Sequence, residues 1–222
     1  IKSVIEYTND PNKIIFANPC KMSSQIKYAR ANDVDMMTFD CEEELYKIKL
    51  YHPYSKLLLR LAVDDSNSIC QFNSKFGCKL ENVEKLITLM NTLNLNLVGF
   101  SFHVGSGCRS LDNYYNAIKT CREAYDLAIK NNININIIDI GGGFPGVYSE
   151  NTINIDQIAE TINSAQKEFF STEIENETIQ FIAEPGRYFV EKSHILVLNV
   201  IGKKREKYLN KDTNELEEII IY

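Results

Sequence analysis

Four features that many functional classes require are missing from this 222-residue sequence. No stretch reaches the ~18 consecutive apolar residues of a membrane span, and residues 1–20 lack the pattern of a secretory signal peptide. The net charge is −6, which argues against nucleic acid and anionic membranes as partners. The six cysteines show no CxxC spacing. We therefore expect no bound metal and no disulfide framework, and we expect reduced thiols in a cytoplasmic protein.

The apolar residues that are present predict short strands alternating with amphipathic helices. Strand-like runs occupy residues 13–18, 34–40, 56–62, 96–103, 133–140 and 178–183. Helical spacing occupies residues 22–32, 42–51, 82–93, 111–131 and 158–170, with a further helix end in residues 1–8. This alternation favours parallel strands joined by right-handed crossovers, in either a (β/α)8 barrel or a doubly wound open sheet.

Distinctive residues stand at or near the C-terminal ends of the predicted strands: Asn18, Asp40, Arg60, His103, the glycines 141–143, and Glu184. A barrel carries its site on this face, whereas a doubly wound sheet concentrates function at one switch point. We therefore predict an α/β fold of the barrel class. Between two of these elements, residues 63–78 predict a long polar loop, and loops of this length in compact domains are usually functional or mobile.

The pattern around which the chain is organised is an apolar run ending in three glycines, Ile137 to Gly146. Glycines directly after a buried strand let backbone N–H groups approach a ligand closely, and phosphate is the usual ligand. Taken alone, the loop fits a plain turn equally well. Two further apolar strands, at 100–108 and 182–187, also break into small and polar residues, and this favours a ligand site.

After Arg187 the pattern changes. Residues 193–201 predict a strand with no helix after it, residues 203–218 are highly charged, and residues 219–222 predict another strand. We interpret residues 1–190 as a partial barrel domain. Residues 191–222 are interpreted as the incomplete beginning of a C-terminal antiparallel β domain.

Seven runs together resemble the eukaryotic-type ornithine decarboxylases, which are pyridoxal 5′-phosphate (PLP) enzymes of the alanine-racemase-like barrel class. In the order of that family, the runs are residues 16–21, 36–40, 59–66, 74–77, 101–108, 139–146 and 183–188. The resemblance implies a TIM-like PLP-binding (β/α)8 barrel, of which this chain holds about six of eight strand–helix units. It also implies decarboxylation of L-ornithine to putrescine in polyamine biosynthesis.

Other functions remain open at this point. A related decarboxylase of lysine, arginine or diaminopimelate, or a racemase, shares the fold. A catalytically inactive homologue that binds antizyme and a phosphate-binding barrel without PLP are further alternatives. The segment 18–47 resembles the surface that antizyme grips in animal enzymes, so antizyme is an alternative partner.

The resemblance assigns roles to individual residues. His103 would stack on the PLP ring and Glu184 would pair with the pyridine nitrogen, and these are the expected catalytic residues. The expected cofactor-binding residues are Arg60, His103, Ser106, Gly141, Gly142, Gly143, Glu184, Pro185, Gly186 and Arg187. A carboxylate facing the pyridine nitrogen keeps it protonated, and backbone donors with a guanidinium suit a phosphate.

Each of these residues also has a simpler interpretation. His103 could be a core histidine, Arg60 could belong to an ion pair, and Asp139 could be a structural cap. Glu184 could pair with Arg187 rather than with a cofactor.

The resemblance further implies a homodimer with active sites at the subunit interface. Asp40, Lys75 and Lys204 would lie there, with Asp40 facing Lys204. The lysine that forms the Schiff base in the family has no counterpart in residues 1–222. We therefore expect this chain to be inactive by itself.

Overall fold

The computed structural model describes residues 1–147, 153–193, 195, 197, 199–209 and 216–221. They fall into two compact units, Ile1–Glu191 and Lys192–Tyr222, and each unit is described by itself. Among these described residues, no helix has both the length and the apolar character to cross a bilayer.

The described residues of the first unit form eight strands, of which six make up one parallel sheet. In chain order the strands are β1 (Ile15–Phe16), β2 (Met36–Phe39), β3 (Lys56–Arg60), β4 (Ser68–Cys70), β5 (Asn96–Ser101), β6 (Ser106–Cys108), β7 (Ile137–Asp139) and β8 (Gln180–Ile182). The six parallel strands are β1, β2, β3, β5, β7 and β8. All six strand positions predicted from the sequence are confirmed, although each strand is shorter than its apolar run.

Helices connect the successive strands of this sheet, and others precede its first strand and follow its last. In chain order they are α1 (Lys2–Thr8), α2 (Ser23–Ala31), α3 (Glu42–Tyr51), α4 (Leu80–Leu93), α5 (Leu111–Lys130), α6 (Ile155–Glu175) and α7 (Gly186–Val190). The predicted bounds of α3 are confirmed to the residue, whereas α6 begins three residues before and ends five residues after its prediction. The short helix α7 was not predicted, because it begins at the glycine of a Pro-Gly pair, and such a pair indicates a turn.

The order of the strands distinguishes between the two predicted architectures. Across the sheet they run β1-β2-β3-β5-β7-β8, so each strand lies beside the previous parallel strand and the order never reverses. A doubly wound sheet reverses its order at a switch point, and this sheet has none. The singly wound order is that of a (β/α)8 barrel, which confirms the barrel class with six strands in an open sheet.

Alternate strand residues anchor the sheet to its helices. Met37 and Phe39 of β2 and Leu57 and Leu59 of β3 are fully buried and belong to one hydrophobic core. Residues two apart lie on the same face of a strand, and this face packs against fully buried helix residues, which include Leu45, Ile48, Val83 and Ile87. Burying one such side chain contributes roughly 1.5–3 kcal/mol. Because a slip of one residue would expose the whole face, this packing fixes the register of the strand ends.

The prediction of a long polar loop at residues 63–78 is wrong in part. Within this segment β4 pairs antiparallel with β6, and Ser68 lies opposite Cys108 while Cys70 lies opposite Ser106. The pairing escaped prediction because β4 has only three residues, of which Ile69 and Cys70 are exposed. It attaches the segment after β3 to the segment after β5.

The second unit contains two further strands, β9 (Lys204–Leu209) and β10 (Leu216–Ile221), paired antiparallel. The predicted strand at 193–201 is wrong for its described residues, which lie outside any strand. β9 instead occupies the charged segment that was predicted to be a connection, because cross-strand pairs such as Arg205 with Glu218 make charged residues compatible with a strand. Residue 222 of the predicted last strand lies outside the described residues.

Candidate cofactor-binding site

Four neighbouring strands bring the predicted site residues to one edge of the sheet. Arg60 lies opposite Ser101, Ser101 opposite Asp139, and Asp139 opposite Ile182, so one row crosses β3, β5, β7 and β8. Since the strands are parallel, their C-terminal ends share this edge. Arg60 and Asp139 belong to this row, and His103 and Glu184 each follow it by two residues along their own segments. The sheet brings these four side chains together, since Arg60 interacts electrostatically with the other three.

The glycine loop after β7 is closely surrounded by backbone. A Cβ added to Gly141, Gly142 or Gly143 would lie 2.1, 2.3 or 2.2 Å from the carbonyl oxygens of Phe102, Glu184 and Gly105, respectively. Gly141 and Gly143 also have positive φ angles of 67° and 84°. Only glycine fits this loop without moving the backbone.

Hydrogen bonds fix the loop and leave two of its amides available. Gly141 N donates to Asp139 Oδ1 at 2.9 Å, and Glu184 N donates to Gly141 O at 2.8 Å. In the part of the chain that the structure describes, the amides of Gly142 and Gly143 donate to no protein group. Two neighbouring free N–H groups form the type of cradle that receives an anion.

His103 is held as a neutral imidazole. Gly105 N donates to His103 Nδ1 at 3.0 Å, so Nδ1 is an acceptor and the ring proton lies on Nε2. Burial, followed by the positive charge of Arg60, lowers the pKa of His103 to about 4. A neutral planar ring next to the glycine loop is suited to stacking on a planar cofactor. The alternative of an ordinary core histidine is less consistent with this half-buried position between loops.

Asp139 and Glu184 form a pair of interacting carboxyl groups. Asp139 is fully buried, and its Oδ1 accepts the Gly141 amide while Oδ2 has no partner as long as both carboxyl groups are ionised. Burial, followed by the hydrogen bond and the charge of Glu184, raises the pKa of Asp139 to about 8. The raised pKa favours the protonated form of Asp139 at neutral pH, and in that form Oδ2 can donate to Glu184. Asp139 is thus both the structural cap that the sequence suggested and a member of the site.

The alternative pairing of Glu184 with Arg187 is wrong. Arg187 Nη1 instead contacts Glu191 Oε1 at 3.1 Å, within α7 and its C-cap. Glu191 also accepts the amides of Gly146 and Val147, at 2.6 and 3.1 Å. Arg187 is therefore connected to the end of the glycine loop through Glu191.

Arg60 is the central cation of the site. Burial lowers the pKa of Arg60, and four carboxyl groups oppose that shift: Asp40, Glu184, Asp139 and Asp65. The guanidinium carbon lies 5.1 Å from the centroid of the Phe76 ring. These acidic groups and the aromatic ring favour one position of the guanidinium, and the alternative of a surface ion pair is less consistent with the half-buried position of Arg60.

The remaining predicted cofactor residues lie in the adjoining segments. Ser106 is half-buried at the start of β6, and Gly107 N ties this strand to Gly143 O at 3.1 Å. Pro185 is the N-cap of α7, and Gly186 begins that helix. Gly186 N donates to Glu184 O at 2.8 Å, so this amide is used within the protein. A phosphate role for Gly186 thus remains a prediction that its amide does not support.

The three predicted interface residues are spread over both units. Asp40 follows β2, and its Oδ2 accepts the Gly77 amide at 2.8 Å. Lys75 is exposed between β4 and α4. Lys204 begins β9 and forms an ion pair with Glu206. Their roles in a dimer stay predictions.

Sequence reasoning missed three residues beside the site: Asp65, Phe72 and Phe76. The available signal was the length of the polar segment 63–78, which contains two phenylalanines four residues apart. Two phenylalanines at this spacing are typical of one face of a helical turn and not of a polar, mobile loop.

These residues fit PLP in three respects. The glycine loop leaves a cradle that a Cβ would fill, with free amides for a phosphate group. Asp139 Oδ2 is a buried acceptor without a partner unless a proton is supplied, and Glu184 beside it suits a protonated pyridine nitrogen. His103 supplies a flat, uncharged ring.

Comparisons of sequence match this chain to one family. Residues 1–191 match the family model of the pyridoxal-dependent decarboxylases, pyridoxal binding domain. A probable ornithine decarboxylase of Dictyostelium discoideum is 42% identical over 207 residues, 93% of this chain and 43% of that protein. Ornithine decarboxylase of Rattus norvegicus is 42% identical over 212 residues, 94% and 45% of the two chains. Antizyme inhibitor 2 of Xenopus laevis is 42% identical over 220 residues, 97% and 47%. The chain spans less than half the length of these relatives.

Solved structures give the same family. The arginine decarboxylase of Paramecium bursaria Chlorella virus superposes with a TM-score of 0.77 and 38% identity, over 85% of this chain and 49% of that one. The lysine/ornithine decarboxylase of Vibrio vulnificus, complexed with putrescine, has a TM-score of 0.72 and 31% identity, over 84% and 48%. An SrLDC mutant in complex with PLP has a TM-score of 0.74 and 31% identity, over 84% and 47%. This chain therefore belongs to the pyridoxal-binding domain family of the PLP-dependent decarboxylases, and its cofactor is PLP.

Proposed function

We propose that the protein containing this chain decarboxylates L-ornithine, releasing CO₂ and putrescine, in the cytoplasm. Ornithine is favoured because curated ornithine decarboxylases match nearly the whole chain at 42% identity. The observation that carries the proposal is the carboxyl pair Asp139 and Glu184, set beside a glycine cradle and a neutral histidine.

Each part of the site has a task in this reaction. Bound PLP supplies an electron sink for the electron pair left when CO₂ departs. Glu184 holds a proton at the pyridine nitrogen, and Asp139 orients Glu184 while its other oxygen fixes Gly141. His103 presents a flat neutral ring. The free amides of Gly142 and Gly143 receive the phosphate.

Arg60 would balance the charge of this arrangement. It interacts with the Glu184 and Asp139 carboxyl groups and lowers the pKa of His103. A fixed positive charge here keeps His103 from binding a proton and so keeps its ring neutral. Arg60 also compensates for the negative charge that a phosphate and two carboxyl groups bring into a buried site.

The choice of ornithine as substrate has to be weighed against other basic amino acids. One structural neighbour is named as an arginine decarboxylase and another as a lysine/ornithine decarboxylase. Both share the strand–helix architecture, so the fold does not discriminate between these basic amino acids. Ornithine is preferred on the higher identity of the ornithine decarboxylases.

A second candidate function is an inactive homologue that binds antizyme. It is favoured by the 42% identity to antizyme inhibitor 2 over 97% of this chain. The presence of Arg60, His103 and Glu184 in one assembled site argues against it, since a binding protein has no need of them. Antizyme as a partner of an active enzyme is compatible with either function.

We further propose that the protein acts as a homodimer with active sites at the interface. Asp40, Lys75 and Lys204 are the residues assigned to that interface. In this proposal, residues 1–190 are part of the PLP-binding barrel and residues 191–222 begin a C-terminal β domain. Residues 1–222 alone are expected to be inactive.

The test uses the full-length protein. Absorbance of PLP bound to the purified protein, followed by CO₂ release from ornithine, lysine, arginine and diaminopimelate, separates the candidates. PLP binding with release from ornithine above all others is the expected result. PLP binding with preference for another amino acid would replace ornithine as the substrate. Absence of PLP binding, together with a complex with antizyme, would favour the inactive homologue.

A further inference from the structure

An aromatic turn lies beside the cofactor site, between β4 and α4. Residues 72–76 form one turn of helical hydrogen bonding, in which Phe76 N donates to Phe72 O at 3.0 Å. The Phe72 ring meets the His103 imidazole edge to face, with centroids 5.0 Å apart and planes at 77°. The Phe76 ring lies 5.1 Å from the Arg60 guanidinium carbon. Side chains four residues apart lie on one side of a helical turn, so the turn supports two site residues at once.

Asp65 fixes the beginning of this turn. Asp65 is only 6% exposed, and its Oδ2 accepts the amide of Phe72 and, at 2.9 Å, that of Asn73. The first amides of a helical turn have no partner within the turn, and a carboxylate that accepts them makes charge-assisted bonds. Because Asp65 precedes Phe72 by seven residues, these bonds close a loop and set the place of the Phe72 ring.

The other end of the turn is fixed independently. Gly77 N donates to Asp40 Oδ2 at 2.8 Å, and Cys78 N donates to Arg60 O at 2.8 Å. The Phe76 end is thereby tied to β3 itself. Asp65 ties the Phe72 end through two of its backbone amides, and the Asn73 side chain adds a longer bond from Val63 N at 3.5 Å.

His103 is restrained on several sides. The Gly105 amide bonds to Nδ1, and a Cβ at Gly143 would lie 3.0 Å from Cε1. The Phe72 ring adds a contact from a different chain segment. Edge-to-face contact places the positive edge of one ring against the negative face of the other, so this contact favours one ring orientation.

We propose that Asp65 is a positioning residue of the cofactor site, acting through Phe72 to hold the His103 imidazole against bound PLP. This inference rests on the proposed function, since PLP is the ligand toward which His103 is aligned. A purely structural Asp65 would stabilise the loop without changing the environment of bound PLP.

The experiment compares variants of the full-length protein loaded with PLP. Asp65→Ala, Phe72→Ala and the double variant are tested, with Asp64→Ala as the matched control. Asp64 is the adjacent, exposed aspartate, and its carboxylate accepts the Ser66 amide within its own loop. The measurements are the visible circular dichroism of bound PLP, kcat and KM at saturating PLP, and the thermal midpoint.

We expect Asp65→Ala and Phe72→Ala to change the dichroism per bound PLP and to lower kcat about five- to tenfold, because small displacements in a site are costly. The KM should change less than kcat. The double variant should equal the worse single variant, since two residues acting through one contact are not additive. Asp65→Asn, whose amide oxygen still accepts the same N–H groups, should restore part of the signal.

Three results would overturn the inference. Asp65→Ala could lower only the thermal midpoint, it could match Asp64→Ala in every readout, or its effect could add fully to that of Phe72→Ala. If Asp65→Ala does not fold, Phe72→Ala alone decides by the same dichroism and kcat criteria. Each of these outcomes leaves the proposed function intact, whereas a wild-type protein that binds no PLP would reject both.

Discussion

Replacing Asp139 by asparagine gives the sharpest test of the carboxyl pair. In Asp139→Asn, the amide oxygen can accept the Gly141 N–H as Asp139 Oδ1 does, at 2.9 Å, and the new NH₂ group can donate to Glu184. The variant therefore mimics the protonated state of Asp139 at every pH. A comparison of the two proteins without PLP isolates the free energy of ionising this buried carboxyl group.

The sign follows from the direction of the shift. The pKa of Asp139 is raised from 3.8 to about 8 in the folded chain, first by burial and then by Glu184. Between these values the folded state binds one more proton than the unfolded state, so wild-type stability falls as pH rises. The slope is at most ~1.4 kcal/mol per pH unit. We expect Asp139→Asn to gain stability relative to wild type by roughly 2–4 kcal/mol between pH 5 and pH 8.

Unfolding by urea, measured on the full-length apoprotein at several pH values, provides the difference between the two proteins. Titration of groups that do not interact with Asp139 cancels in this difference. Asp64→Asn is the control, because the Ser66 amide lowers the pKa of Asp64 from 3.8, so its contribution to stability is complete above that value and the control difference should not vary between pH 5 and pH 8. A stability difference between wild type and Asp139→Asn that does not vary with pH would refute the argument.

Three further predictions concern the loaded enzyme and its assembly. Glu184→Gln should lower kcat by about ten- to a hundredfold at saturating PLP, because a charge-assisted bond of roughly 1.5–3 kcal/mol is lost; a wild-type kcat with only weaker PLP binding would show a different role. Gly143→Ala should weaken PLP binding on the order of tenfold or more in a fluorescence titration, since its Cβ would lie 2.2 Å from Gly105 O at a positive φ. Wild-type affinity would show that the loop relaxes freely. Lys75→Ala should weaken the dimer in sedimentation velocity by ~1 kcal/mol or less if its partner is exposed, and unchanged association at all concentrations would count against its place in the interface.

The sequence predicted the sheet well because each parallel strand is a continuous apolar run between helices of clear period. The apolar run around Ile138 and the leucines at 57 and 59 are apolar because these positions are buried. Burial of this kind can be predicted from the sequence of apolar residues itself. β4 and β9 were missed for the opposite reason. Their residues are largely exposed, so their pairing depends on partners far along the chain rather than on their own pattern.

Prediction of the site was limited in the same way. Residues in compact motifs, such as His103 and the glycine loop, could be found because each motif is local. Asp65 and the true partner of Arg187 could not, since a hydrogen bond to Phe72 or an ion pair with Glu191 is decided by how the loops fold. The sequence left Glu184 with two candidate partners, and only the register of β7 beside β8 places Asp139 next to it.

The same carboxyl pair links cofactor binding to the stability of the protein. Before PLP binds, Arg60 only partly offsets the raised pKa of Asp139, because burial and the charge of Glu184 both oppose its ionisation. A protonated pyridine nitrogen next to Glu184 adds a second positive charge and favours the ionised pair. Binding of PLP should therefore be linked to loss of the Asp139 proton, and the stabilisation of the folded protein by PLP should increase as pH rises toward about 8.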